Sequence, residues 1–256
     1  MNEKITPPQE IYDDFYFKHS CGGYEEFKAS KGEILPPWMV YAFELAKLKP
    51  SDKVLDIGTG RGEIVYQSAR VGNLSVGVDY AKAALRFAES LRMKAAELNH
   101  PFELILADAR NLPFTPNQFS VVFMLDIVEH LSQRDLRHVF KGVHQCLQPG
   151  GRLIIHTMPN LNYYKYGYPI YRLVNLLLGK NLPKDPRKRF YRGETHINIQ
   201  TPKSLRLNLA SAGFIDPYIE LNQLSGSKPK RLLCRLPLIK HVLSNDIIAI
   251  GTKEDE

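Results

Sequence analysis

The sequence predicts an α/β fold, a mainly parallel sheet with helices on both faces. Three observations predict it. From residue 53 onward, short apolar runs alternate with helix-length amphipathic segments. The first run, "KVLDI", breaks into a glycine-rich turn, "GTGRG", that opens a helix. Acids stand at or near the ends of four successive apolar runs, Asp56, Asp79, Asp108 and Asp126. Open α/β sheets bind ligands at such strand ends.

The elements follow in order. "KVLDI" is a strand and "GEIVYQSARVG" a helix stopping at Gly72. "LSVGVDY" is the second strand, and "AKAALRFAESLRMKAAELN" a long amphipathic helix. "FELILAD" is the third strand, "PFTPNQF" a turn, and "SVVFMLD" the fourth strand. "SQRDLRHVFKGVHQCL" is a helix with Ser132 at its N-cap, because a hydroxyl there can accept from an orphan backbone N–H. "PGG" turns the chain into the fifth strand, "RLIIHTMP". "TPKSLRLNLASAGF" is a helix capped by Thr201, with Pro202 in its first turn and Gly213 as its stop. "FIDPYIEL" and "DIIAIGTK" are the candidate last strands. Residues 1–50 form an N-terminal helical cap on a domain spanning 51–256. That domain carries an insertion at 158–200 and a basic elaboration at 222–244.

Composition sets outer limits. At 256 residues and 44% hydrophobic, the chain can bury one sizeable core. No run of 18 apolar residues exists, and "MNEKITPPQE" lacks the apolar core of a signal peptide, so a cytoplasmic protein is expected. Three distant cysteines without a CxxC pair indicate neither a disulfide framework nor a cysteine-based zinc site. The net charge is +7, and it is local. Residues 180–192 hold six basic residues and one acid, and residues 228–241 hold five basic residues and no acid. These patches point to contact with an anionic partner.

The turn narrows the choice of ligand. A dinucleotide fingerprint needs its third glycine where Glu63 stands; here the spacing is Gly58, Gly60, Gly62. Asp56 precedes the turn, and a carboxylate there repels a pyrophosphate held at a helix N-terminus. It suits a ligand carrying an ammonium and a sulfonium, which argues for S-adenosylmethionine over NAD. Asp79 at a second strand's tip can accept from both ribose hydroxyls. Asp108 can accept from an adenine amino group, and each acid alone could equally be a turn or cap residue.

"VLDIGTGRG", "GVDY", "LADARNLPF", "FSVVFMLDIVEHL" and "LQPGGRLIIHTMPN" together resemble the motifs of class I S-adenosylmethionine-dependent methyltransferases. The resemblance covers about residues 50–160 and, more loosely, 195–214. It is strongest to a small-molecule branch that includes ubiquinone-biosynthesis O-methyltransferases. It implies a Rossmann-like, seven-stranded sheet with a final antiparallel strand. It also implies that Asp56 and the turn Gly58, Thr59, Gly60 and Gly62 hold the methionine part. Asp79 would hold the ribose, Asp108 and the amide of Ala109 the adenine, and Tyr80 counts among the cofactor-binding residues. The backbone at Leu125 and Asp126 would contact the methionine end or line the transfer site.

Transfer to oxygen benefits from a base, and His130 with Glu129, just past the fourth strand, are the candidate catalytic residues. They could also merely stabilise the following helix. Asp126, Glu129, His130 and the distant His196 also have the composition of a divalent-metal site, similar to that of metal-dependent relatives. The aromatics Tyr12, Phe15, Tyr16, Phe17 and Tyr24 form either a lid on the cofactor or ordinary packing. Residues 162–178 read as substrate lid or packed subdomain. The expected function is methyl transfer to oxygen of a small, glycan- or lipid-linked acceptor, with peripheral contact to an anionic membrane. An RNA methyltransferase and a non-catalytic S-adenosylmethionine-binding protein are the alternatives. No appended RNA-binding module is present, nucleic acid is not the expected partner, and no stable protein partner is implied.

Overall fold

The computed structural model describes residues 5–189, 192–222, 234 and 236–255. Seven strands form one sheet in the order β3-β2-β1-β4-β5-β7-β6. β1 (Lys53–Ile57), β2 (Leu74–Asp79), β3 (Glu103–Leu106), β4 (Phe119–Leu125) and β5 (Leu147–Thr157) run parallel. β7 (Asp246–Thr252) slots antiparallel between β5 and β6 (Ile215–Asn222). The expected seven-stranded arrangement with an antiparallel last strand is therefore present.

Strand alternation explains the two layers. Leu55, Ile57, Val122, Met124, Leu153 and Ile155 face one side. There they meet Leu136, Val139, Phe140 and Val143 of α6 (Gln133–Cys146) and Leu205 and Leu209 of α8 (Pro202–Ser211). The alternate residues Val54, Val121, Phe123 and Ile154 face Ala42 and Ala46 of α3 (Pro37–Ala46) and Ile64 of α4 (Glu63–Ala69). With a side-chain period of two, each central strand supplies both cores, so these strands are apolar throughout.

The caps are as the sequence indicates. The Ser132 hydroxyl accepts from the Asp135 amide at 3.1 Å. Thr201 and Ser204 form a reciprocal capping box at the start of α8. Two boundaries differ. α4 ends at Ala69, three residues before Gly72, where a Cβ would stand only 2.9 Å from the Asp52 carbonyl. "PGG" is not a turn before the fifth strand but a bulge within it. Phe119 pairs with Leu147 and Val121 with Arg152, and Gly150 takes φ +68° to absorb the surplus.

The N-terminal cap comprises α1 (Asp14–His19), α2 (Tyr24–Ser30) and α3. Tyr12 and Phe17 pack with Ala81, Ala83 and Ala84 at the start of α5 (Lys82–Glu97). The insertion holds a π-helical turn at Tyr163–Gly167 running into α7 (Tyr168–Leu177), then short 3-10 turns at Pro186–Arg189 and Gly193–Thr195. Most of the basic elaboration at 222–244 lies outside the described residues, namely 223–233 and 235, and with it four of the five basic residues of the second patch. Those residues are followed by α9 (Pro237–Leu243).

Candidate active site

The glycine-rich turn is shaped by contacts on both sides. A side chain at Gly62 would meet Ala88 of α5 at 2.8 Å, so glycine lets α4 and α5 approach closely. The Thr59 hydroxyl donates to Asp56 at 2.7 Å, and the Gly60 amide donates to Asp79 at 3.0 Å. The other Asp79 oxygen accepts from the Ala81 amide at 2.9 Å. The carboxylate at the tip of β2 therefore ties the turn to the start of α5. Asp108 accepts from the Arg110 backbone and holds its guanidinium in a two-pronged ion pair.

A cavity of about 580 Å³ opens over these strand ends. Every site residue expected from the sequence lines it except Asp56 and Gly62. The Asp56 side chain is buried behind the turn, where one of its oxygens accepts from Thr59 and shapes the loop. Gly62 likewise serves helix packing.

The cap closes the cavity through a residue that the motif reading passed over. Arg61, in the middle of the turn, is 1% exposed. Its guanidinium donates to the carbonyls of Phe17 (2.9 Å), Cys21 (3.2 Å) and Gly22 (2.6 Å), and to the Glu63 carboxylate (2.9 Å). The planar fork matches four acceptors that a lysine could not reach together. Of the five N-terminal aromatics, Tyr12, Tyr16 and Phe17 line the cavity, and Phe15 and Tyr24 do not.

Beyond β4, Glu129, His130 and His196 each bring a potential ligand atom within 4.8 Å of one another. Glu129 accepts from the Thr157 hydroxyl at 2.7 Å, and a His130 ring nitrogen bonds the Tyr12 hydroxyl at 3.0 Å. The His130 and His196 rings meet edge to face, 4.8 Å between centroids. The Glu129 carbonyl accepts from the amides of Ile197 and Asn198, which brings His196 to the site. Asp126 stands apart from this cluster. Its backbone is left-handed at φ +55°, and its carboxylate bonds His156 at 2.6 Å. The other His156 nitrogen faces Asp246 at 3.3 Å.

Residues 54–151 match the family model of a methyltransferase domain. The ubiquinone/menaquinone biosynthesis C-methyltransferase UbiE of Teredinibacter turnerae is 28% identical over 192 residues, covering 72% of this chain and 75% of that protein. A Haloferax volcanii complex between the Trm112 methyltransferase activator and a methyltransferase aligns with TM-score 0.64 at 12% identity, over 94% of this chain and 97% of that one. Haemonchus contortus phosphoethanolamine N-methyltransferase 2, solved with S-adenosyl-L-methionine, aligns with TM-score 0.62 at 18% identity, over 87% of this chain and 54% of that one. These likenesses support a class I S-adenosylmethionine-dependent methyltransferase.

The electrostatics of the methyltransferase separate its two ends. Burial lifts Asp79 to a pKa of about 6 and Asp56 to about 7, with backbone or hydroxyl hydrogen bonds opposing the shift. Burial, then the neighbouring Asp126, raises Glu129 to about 8. Burial, then His196, holds His130 neutral, well below the usual histidine range. Burial disfavours a charged His156, but Asp126 and Asp246 outweigh it and raise its pKa to about 10. An imidazolium thus sits between two carboxylates and joins the ends of β4, β5 and β7. The signal for it in sequence was one histidine in an otherwise apolar central strand.

Proposed function

We propose that this methyltransferase methylates an ionisable oxygen on a hydrophobic, ring-bearing acceptor of the small or lipid-linked class. The observation that carries the reading is Glu129: a buried carboxyl on the cavity, lifted to about 8, beside a neutral His130. A base of that strength suits a hydroxyl near neutral pH. Tyr163, Tyr164, Tyr168 and Tyr171 of the insertion line the same cavity, and flat aromatic walls suit a flat apolar ring.

The cavity fits the cofactor, since a buried, tightly oriented Asp79 faces it from the strand tip as a ribose acceptor would. Bound there, S-adenosylmethionine supplies a methyl group on a sulfonium with a neutral leaving group. Asp79 would hold the ribose hydroxyls, Asp108 and the Ala109 amide the adenine, and the Gly58–Gly60 backbone with Leu125 and Asp126 the methionine end. The chain's own work is positioning and proton removal. Glu129 takes the acceptor's hydroxyl proton, with Thr157 fixing its carboxylate. His130 can share that task in the tautomer whose Nδ1–H donates to the Tyr12 oxygen.

A second reading rests on the relatives, whose name is that of a C-methyltransferase. Deprotonating a phenol also enriches its ring carbons in electron density, so the same Glu129 would serve transfer to carbon. The experiment is incubation with methyl-labelled S-adenosylmethionine and fractionated cell extract, followed by locating the label. Label in an alkali-stable methyl ether supports oxygen, and label on a ring carbon supports the second reading. Label in RNA or polysaccharide would overturn both, and cofactor binding without any labelled fraction would indicate a non-catalytic protein.

A further inference from the structure

α7 is amphipathic in the wrong sense for a helix packed on a protein. Its inward residues are Tyr168, buried under the insertion, and the half-buried Tyr171, Arg172 and Asn175. Its outward residues are apolar. Ile170 is 54% exposed, Leu173 58%, Val174 48% and Leu177 79%. At 100° per residue these four fall on one stripe. Leu176 and Leu178 extend the exposed apolar surface at the C-terminal end.

The same insertion carries most of the protein's excess charge. No Asp or Glu occurs from residue 136 to 184, and residues 158–200 hold eight basic residues against two acids. The basic run folds back along α7. The Arg172 guanidinium donates to the Leu182 carbonyl at 3.0 Å, and the Tyr168 hydroxyl donates to the Pro183 carbonyl at 2.8 Å. Arg189 lies over the Tyr168 and Tyr171 rings at 5.8 and 5.2 Å. Arg187 and Arg192 are paired with Asp185 and Asp13, while Lys180, Lys184 and Lys188 of the run that follows the helix are exposed. An exposed leucine stripe and exposed lysines on one insertion complement an anionic bilayer, with its negative headgroups above an apolar boundary. No helix of the described residues is long and apolar enough to cross a membrane, so the contact is interfacial.

We propose that α7 is a membrane-docking helix, its Ile170, Leu173, Val174 and Leu177 stripe entering the headgroup–acyl boundary of an anionic bilayer while the lysines that follow it bind lipid phosphates. Tyr168 and Tyr171 on the helix's other face line the catalytic cavity. The docked face and the cavity wall are thus two sides of one helix. A lipophilic acceptor would pass around α7 from bilayer to site without crossing water. This deepens the lipid-linked acceptor reading above, but its test needs no methyl transfer.

The test is co-sedimentation of the full chain with phosphatidylcholine vesicles and with vesicles also containing phosphatidylglycerol, at low and high salt. Capture by the anionic vesicles alone, reversed by salt, is expected. Each lysine near the surface contributes about fivefold, so Lys180→Glu, Lys184→Glu and Lys188→Glu together should weaken capture on the order of a hundredfold. Leu173→Glu with Leu177→Glu should weaken it comparably, with thermal melting and S-adenosylhomocysteine affinity unchanged. A Leu177→Trp variant should shift its emission to the blue on anionic vesicles and be quenched by brominated acyl chains. Equal, negligible capture by both vesicles would overturn the proposal. So would capture without quenching, which would mean a purely electrostatic contact, or a solution dimer that loses its stability in the Leu173→Glu, Leu177→Glu variant. Vesicle capture by a protein that fails to bind S-adenosylmethionine would overturn the functional reading and leave docking intact.

Discussion

Substituting Glu129 by Gln should raise stability in alkali and abolish turnover, and both effects follow from one pKa. The folded-state value of about 8 stands well above the ordinary 4.5. At pH 7 only about one Glu129 in ten is the carboxylate, so kcat/KM should climb about tenfold per pH unit below 8 and flatten above it. For stability the same shift acts in the opposite direction. Below pH 4.5 the group is neutral folded and unfolded, and costs nothing. Between 4.5 and 8 the unfolded chain ionises first, so stability falls by about 1.4 kcal/mol per pH unit. Above 8 the full cost is present, on the order of 5 kcal/mol, unscreened because Glu129 is 1% exposed. Gln keeps an oxygen for the Thr157 hydroxyl and carries no charge. Glu129→Gln should therefore lose about 10²–10⁴-fold in turnover, keep its cofactor affinity, and gain most of that stability at pH 9. The assays are pH-resolved methyl transfer to the labelled acceptor and urea titrations at matched pH. They are run after exhaustive chelation, so that a cation held by Glu129, His130 and His196 would reveal itself as lost activity. A flat rate from pH 6 to 9, or a Gln variant with wild-type turnover, would refute the reasoning.

Three other outcomes are expected. Calorimetry should show S-adenosylmethionine binding without NAD binding, and Asp79→Ala should weaken it by about 1.5–3 kcal/mol through lost charge-assisted hydrogen bonds. Arg61→Ala should leave Glu63 buried and unpaired beside three orphaned carbonyls. Amide hydrogen exchange should then speed up across α1 and α2 while the sheet stays protected. His156→Ala should cost about 3–5 kcal/mol by stranding two carboxylates, read from the urea midpoint. In the native protein the raised His156 pKa gives stability fully present below pH 6.5 and lost as pH rises through about 10. Its alkaline loss survives in Glu129→Gln and separates the two groups.

What the sequence made legible was local. β1, β2 and β4 announce themselves because both faces are buried and near-continuous apolar runs are the result, whereas the half-exposed edge strand β3 is legible from its place in the alternation. The cofactor turn is a contiguous pattern, and ten of the expected site residues from Gly58 to Glu129 reach the cavity together with His130. The bond from Thr59 to Asp56 was not legible, because a carboxylate three residues before a threonine meets that hydroxyl only once the turn is folded, here at 2.7 Å. The features that escaped join distant segments. Arg61 reads as a spacer between glycines until the carbonyls of residues 17, 21 and 22 are brought to it. His156 needs Asp246, ninety residues away, to become a charged link. The α7 stripe is visible as leucines, but only the fold decides that they face outward.

The bond between Tyr12 and His130 has a consequence for timing. Tyr12 belongs to the N-terminal segment that Arg61 clamps over the turn, and His130 belongs to the catalytic cluster. Any opening of that segment wide enough to exchange spent cofactor for fresh also strips His130 of the hydroxyl that orients its ring. Glu129 keeps its bond from Thr157 in that event, so opening removes only the share of proton transfer that His130 carries. One side chain of the cap thus tunes a base on the far side of the cavity that it covers.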